Sequence, residues 1–268
     1  MATRFGLVQG LVQGTKYGIN YWEGGSVPPA TGTLYEKITN ADVGTFFQGR
    51  LGSAADYSSV DGWNFDAAGS SAADFGGFAN FTSTLATVAS PHGRSVNMEL
   101  GSDYWTVDNN NFNMTTDPFA FIVRIKFLDN DPGGSVWFGR NGVASPHYQA
   151  ELTVDGFMRW RMKQFGSPAV VDGTTSMLDG RWRWIILGRS VANEKMYFTT
   201  ADEHVETAFT ADKNLNGAAP LRLGPSAGVC AAEYRVDHLL VFQGDAAENI
   251  YTNRAAIHTS VLNDIDEV

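Results

Sequence analysis

The chain has 268 residues, 43% of them hydrophobic, with 17 Phe, 7 Trp and 9 Tyr, a composition that supports a large packed core and excludes a disordered chain. A formal charge of −10 argues against nucleic acid as a partner, because phosphate-backbone affinity comes from clustered Lys and Arg releasing counterions. Cys230 is the single cysteine, so no intrachain disulfide can form and the fold must rest on packing.

Residues 1–55 read as an extended amino-terminal arm. Gly6-Leu-Val-Gln-Gly10 repeats at once as Gly10-Leu-Val-Gln-Gly14, and Glu23-Gly-Gly-Ser-Val-Pro-Pro29 follows. Apolar residues at this spacing build no core of their own. Phe5, Leu7, Val8, Leu11, Val12, Tyr17, Tyr21 and Trp22 are the side chains with which such an arm would grip a neighbouring subunit. The opening Met1-Ala-Thr-Arg-Phe-Gly6 lacks a continuous apolar stretch, so neither a signal peptide nor a membrane span is expected.

Residues 56–244 read as antiparallel strands. Asp61-Gly62, Asn141-Gly142, Asp155-Gly156, Asp172-Gly173, Asp179-Gly180 and Asn216-Gly217 are dipeptides that suit tight turns, and their spacing predicts a meander or jelly roll. In Phe119–Phe127 the residues Phe119, Phe121, Val123, Ile125 and Phe127 share one face, leaving Arg124 and Lys126 on a face expected to be partly wet. Met158, Trp160 and Met162 oppose Arg159 and Arg161 in the same way, and Arg181–Leu187 alternates again. Residues 245–268 then predict a helix and an acidic tail: Asp245-Ala-Ala-Glu248 has capping-box spacing, and Ile250, Arg254, Ile257 and Val261 recur at helical intervals.

Three segments carry a family resemblance. Asp179-Gly180-Arg-Trp182 leading into a strand, the aromatic Met196-Tyr197-Phe198, and Tyr234–Phe242 with Asp237 amid apolar residues resemble the closing half of a laminin-G-like or pentraxin-like domain. The resemblance covers about residues 56–260, is to the wider concanavalin A-like lectin and glucanase superfamily, and implies an all-β antiparallel sandwich. The family's usual Asn-Gly or Asp-Gly after the aromatic strand is replaced here by Thr200-Ala-Asp202.

Candidate chemistry follows from residue types. Trp105 beside Asp103, Trp137, and Tyr148 beside His147 are aromatics flanked by polar groups, as sugar binding requires. Asp103, Asp108, Asn109 and Asn110 form one oxygen-rich stretch and Asp129, Asn130 and Asp131 another; such oxygens suit Ca2+, although turns use the same residues. His92, His147, His204, His238 and His258 have no metal-ligand spacing, so zinc is not expected. His238 falls on the alternating face of Val236, Leu240 and Phe242 and reads as a core or edge histidine. Glu233 and Asp237 share a strand face but would lie roughly 13 Å apart at about 3.3 Å per residue, beyond the ~5–9.5 Å of glycosidase pairs. With Arg235 between them, an ion-pair ladder is the better reading.

The leading expectation is therefore a non-enzymatic structural protein of a viral particle, such as a bacteriophage capsid decoration or head/tail accessory protein. It would assemble in the host cytoplasm as a homo-oligomer or on a major capsid protein, held by its arm. The alternative is a lectin-like module adhering to a host surface glycan. A glycan hydrolase comes third.

Overall fold

The computed structural model describes residues 40–262, apart from residues 64, 66–67, 73–79, 84, 91–92, 99–103, 108–111, 113, 129–134, 141–146, 165–166, 211–213, 216–218 and 225–231. Helix α1 (Asn40–Leu51) precedes the strands β1 (Asp61–Trp63), β2 (Ser71–Ala72), β3 (Phe81–Thr82), β4 (Val88–Ser90), β5 (Gly93–Met98) and β6 (Trp105–Val107). The long central strands follow: β7 (Phe119–Phe127), β8 (Ser135–Arg140), β9 (His147–Leu152), β10 (Phe157–Lys163) and β11 (Ala169–Ser176). After β12 (Arg183–Ser190), β13 (Lys195–Thr199), β14 (His204–Ala208), β15 (Leu221–Leu223) and β16 (Tyr234–Gln243), helix α2 (Gly244–Ile257) runs into a π-helical turn, His258–Leu262.

These strands form two antiparallel sheets, the sandwich that the alternation predicts. The first has the order β14-β13-β12-β7-β16-β5-β4, with β1 also on β16, and the second β11-β10-β9-β8-β15-β6-β3-β2. Phe119, Phe121, Val123, Ile125 and Phe127 of β7 meet Met158, Trp160 and Met162 of β10 in the core between the sheets. On the opposite face of the first sheet, Gly188 of β12 leaves room for its neighbours β7 and β13: a Cβ at that position would lie 2.4 Å from the Phe119 carbonyl oxygen and 2.7 Å from the Tyr197 hydroxyl.

The outer face of the first sheet is also dry over its central strands, more so than the expectation of a partly wet face allowed. Ala120 and Ile122 of β7, Trp184 and Ile186 of β12, and Leu240 and Phe242 of β16 pack against Val43, Phe46 and Phe47 of α1 and Ala246, Ala247, Ile250 and Ile257 of α2. Lys126 keeps partial exposure while Arg124 is 2% exposed. Residues 40–51, read from sequence as the end of an extended arm, are thus a helix seated on the sandwich by its three large apolar side chains. Residues 1–39, with every arm residue named above, lie outside the described residues.

A buried Arg must be matched by a charge. Asp237 supplies it because β16 carries a bulge there: Val236 pairs with Ile125 and His238 with Arg124, leaving Asp237 as the extra residue. Its carboxylate accepts hydrogen bonds from Arg124 Nη1 and, at 2.9 Å, His238 Nδ1. The bulge also breaks the expected alternation, since Val236 and Leu239 face the inter-sheet core while Leu240 and Phe242 lie under α2. His238 is the buried histidine the sequence suggested, without sharing Val236's face. No Glu233–Arg235–Asp237 ladder forms, because Asp237 is engaged by Arg124 and His238 and Arg235 Nε donates to Asn97 Oδ1 at 3.1 Å.

Two turn dipeptides behave as read: Asp155-Gly156 and Asp179-Gly180 join strands, with φ of 79° at Gly156 and 71° at Gly180. Asp61-Gly62 and Asp172-Gly173 instead lie inside β1 and β11, where cross-strand pairing overrides local turn preference. Asn141-Gly142 and Asn216-Gly217 fall outside the described residues. No capping box forms at α2 either. The helix begins at Gly244 after Gln243, without a side-chain cap. Glu248 turns instead to the β12–β13 connection, where Oε1 accepts from Val191 N at 2.7 Å and Ala192 N at 2.9 Å, and Oε2 from Ser190 Oγ at 2.6 Å.

Further polar contacts lock the helix end to β13 and β14. Tyr251 donates to Glu206 Oε2 at 3.0 Å, and Arg254 Nη2 to the same oxygen at 3.2 Å. His204 contacts Glu206 and lies against the Arg254 guanidinium; burial first and the Arg254 charge second hold its pKa below the ordinary 6.5. His258 Nε2 lies 3.2 Å from the Thr199 carbonyl oxygen, and burial pushes its pKa down to about 4.

Two outcomes follow. Asp237→Ala strands the Arg124 charge in the interior and should cost roughly 3–5 kcal/mol in urea unfolding, whereas joint replacement by Arg124→Met and Asp237→Leu should cost less. His204 and His258 are held neutral in the fold, so the unfolded chain takes up more protons once pH falls below about 6.5. The stabilisation is complete above that value and declines toward about 4. The urea midpoint should therefore drop between pH 7 and pH 5, and the drop should shrink in His258→Gln.

Candidate functional site

The aromatics expected to meet a sugar are interior residues. Trp105, Trp137 and Tyr148 are each 0% exposed. Trp105 packs on Phe65, its ring centroid 6.0 Å away, and Trp137 on Phe127 at the same spacing. Tyr148 lies 5.4 Å from both Phe119 and Phe121 and donates its hydroxyl to the Phe112 carbonyl at 3.3 Å. Each occupies an inward position of β6, β8 or β9, so none presents a ring to solvent. The calcium candidates Asp103, Asp108, Asp129 and Asp131, with Asn109, Asn110 and Asn130, lie outside the described residues. Among the described residues no group of three or more His, Cys, Asp or Glu could hold a metal ion.

Aromatics that do reach solvent include Tyr104, 42% exposed with the Arg222 guanidinium 4.7 Å from its ring centroid, and the partly exposed Trp182, which lies in the segment that carried the family resemblance. Asp179 builds the approach to Trp182. Its Oδ1 accepts from the Arg181 backbone N–H at 3.1 Å, and its two oxygens take a fork from Arg183, Nη1 to Oδ1 and Nη2 to Oδ2, both at 2.7 Å. With Gly180 in the left-handed region, these bonds fix the turn that feeds β12.

Trp182 and Trp184 are two positions apart and so point the same way. Trp184 is 4% exposed in the cluster beneath α2, its ring 5.6 Å from His238. Trp182 retains partial exposure. The Arg124 guanidinium lies over the Trp182 ring, 4.8 Å from its centroid, so the buried Arg124–Asp237 pair also holds the exposed indole.

Around Trp182 the surface sinks into a pocket of about 190 Å³. Arg181 to Trp184 form one wall, Ala201 and Asp202 of the β13–β14 turn another, and His258 a third. The turn is set by Thr200, whose hydroxyl accepts from the backbone N–H groups of Asp202 and Glu203, each at 3.2 Å. The Thr200-Ala-Asp202 departure from the family pattern thus places an acid at the rim: the Asp202 side chain is 55% exposed and lies 3.9 Å from Arg183 Nε. The pocket offers an aromatic face, guanidinium donors and a carboxylate acceptor within one ring's width. The alternation of Arg181–Leu187 did not reveal it because Trp182 and Trp184 look alike there, and only their burial in the fold, 4% exposure for Trp184 against partial exposure for Trp182, separates them.

A second hollow, about 480 Å³, lies at the β9–β10 turn and is lined by Glu151, Asp155, Phe157, Arg159 and Asp172 among others. Two of its three acids are engaged: Arg159 Nε donates to Asp172 Oδ1 at 2.6 Å and Arg161 Nη1 to Glu151 Oε1 at 3.0 Å, while Asp155 is exposed.

No family model and no curated protein matches the sequence. Solved structures do share the fold. The ligand binding domain of botulinum neurotoxin serotype D in complex with N-acetylneuraminic acid superposes with a TM-score of 0.58 at 9% identity, over 76% of this chain and 53% of that one. The binding domain of paraclostridial mosquitocidal protein 1 gives 0.56 at 14% identity, over 71% and 53%. Trypanosoma rangeli sialidase gives 0.53 at 12% identity, over 75% and 33%. The chain spans about half the length of the two binding domains and a third of the sialidase. At these identities the likeness is one of fold, an antiparallel β-sandwich.

Proposed function

We propose that this chain is a non-catalytic carbohydrate-binding module and that the Trp182 pocket is its site. The observation that carries the reading is the partly exposed indole, held over a buried Arg124 and walled by hydroxyl-binding groups. A pyranose presents a C–H face that stacks on an aromatic ring and an edge of hydroxyls that pair with carboxylates and guanidinium groups. Support also comes from the fold, which this chain shares with a domain solved in complex with N-acetylneuraminic acid. The non-catalytic part is supported by the pairing of Glu151 and Asp172 with arginines, which leaves neither as an uncommitted acid or base. Trp182→Ala should weaken glycan binding at least about tenfold, equivalent to ~1.4 kcal/mol, in titration calorimetry against whichever glycan a glycan array selects, with thermal unfolding as the control for folding. Unchanged affinity would move the site elsewhere.

Particle assembly through the amino-terminal arm is a separate proposal, supported by the Gly-rich, repeat-bearing sequence of residues 1–39. It expects a defined oligomer in light scattering that becomes monomeric when residues 1–39 are removed and α1 is kept. Equal masses for the two forms would end it.

A further inference from the structure

The charges around Trp182 are already spoken for, and their arrangement bears on what kind of sugar fits. Recognition of a sugar carboxylate calls for an arginine fork, two parallel N–H donors meeting two oxygens. Arg183 has that fork, but both of its Nη atoms are bound to the two oxygens of Asp179 at 2.7 Å, and its Nε faces Asp202 at 3.9 Å. Arg181 sits 3.5 Å from the same Asp179, so one carboxylate serves both arginines. Arg124 is buried and committed to Asp237. Arg181 and Arg183 are thus balanced by Asp179 and Asp202, so these four side chains give the pocket no net positive charge, and Asp202 stands at its rim with 55% of its side chain exposed. An entering carboxylate would meet a like charge there, on a chain whose formal charge is already −10.

A neutral sugar meets the opposite situation. Its C–H face covers Trp182, its hydroxyls donate to Asp202, and the Arg181 guanidinium, 81% exposed, donates to a ring or hydroxyl oxygen. None of these contacts breaks an existing ion pair. The size agrees: about 190 Å³ is below the ~300–1,000 Å³ typical of drug-sized ligand sites, which suits one sugar ring rather than an extended chain.

Resting on the carbohydrate reading of this pocket, we infer that its ligand is a single neutral, hydroxyl-rich sugar unit, and that the Asp179–Arg183 fork together with Asp202 excludes carboxylated sugars. The chain would then differ in ligand class from the neurotoxin domain solved with N-acetylneuraminic acid, although the two share a fold. Asp179 acts here through Arg183; it is a positioning residue, and its removal should change which sugar binds.

The test is titration of the full chain with the methyl glycosides of glucose, galactose, N-acetylglucosamine and N-acetylneuraminic acid, each at 20 mM and 200 mM NaCl. At least one neutral glycoside should bind, with an affinity that changes less than about twofold between the two salts, and the sialoside should bind at least tenfold more weakly. Asp179→Asn should free the Arg183 fork and strengthen sialoside binding about fivefold or more, and this gain should be lost at 200 mM NaCl, where screening shortens the reach of the charge. Asp202→Asn, which leaves the fork intact, should raise sialoside binding and lower that of the neutral sugar. Preferential binding of the sialoside by the unaltered chain would overturn this inference and leave the carbohydrate reading standing. Absence of binding to all four glycosides would remove both. A folded Asp179→Asn and a folded Asp202→Asn that both leave the preference unchanged would overturn the exclusion mechanism.

Discussion

Burial of the central strands of the first sheet on both faces is the constraint from which the rest of the molecule follows. A sheet dry on one side tolerates charge on the other, but β7 is covered inside by the second sheet and outside by two helices. Arg124 sits in the middle of that strand with 2% exposure, and a charge so placed persists only with a partner of opposite sign. The bulge in β16 provides one by inserting Asp237 opposite Arg124, at the cost of regular pairing. The same bulge shifts the phase of the strand, so that Leu240 and Phe242 meet α2.

The ion pair has a second consequence at the surface. The face of Arg124 not engaged with Asp237 supports the Trp182 ring, so an accessible indole is held by an interior charge. Asp179 fixes the turn beneath it and Thr200 fixes the opposite rim. Each wall of the pocket is therefore set by a local side-chain-to-backbone or ion-pair device rather than by loop packing alone. A pocket built in this way would present its walls pre-organised to the sugar proposed for it, which lowers the ordering cost of binding.

Polar side chains also close the sandwich where strands would otherwise end bare. The Glu203 carboxylate accepts from the backbone N–H of Thr174 at 2.8 Å and of Thr175 at 3.3 Å on β11, the last strand of the second sheet. It thereby joins the β13–β14 turn of one sheet to the edge of the other and covers N–H groups that could template pairing with another chain. Glu248 does similar work between α2 and the β12–β13 connection. In both cases an acid that looks like a surface or capping residue in sequence is a tie between elements far apart along the chain.

What the sequence determined by itself was the fold class and the inner faces of the main strands. Phe119–Phe127 became a strand with the expected ends, and Met158, Trp160 and Met162 turned inward, because alternation on a two-residue period is a local property that needs no knowledge of partners. Tertiary structure decided the rest. Arg124 is held in the interior by Asp237 and the Trp182 ring, Asp61-Gly62 and Asp172-Gly173 were drawn from turns into strands by pairing, and the Glu248 side chain reaches from α2 to a distant turn. The site followed the same rule. Trp105, Trp137 and Tyr148 have polar neighbours in sequence and yet are fully buried in the core, while Trp182, just before β12, stays partly exposed at the pocket. Which aromatic meets solvent depends on what packs over it, and that is a property of the assembled layers rather than of any window of the chain.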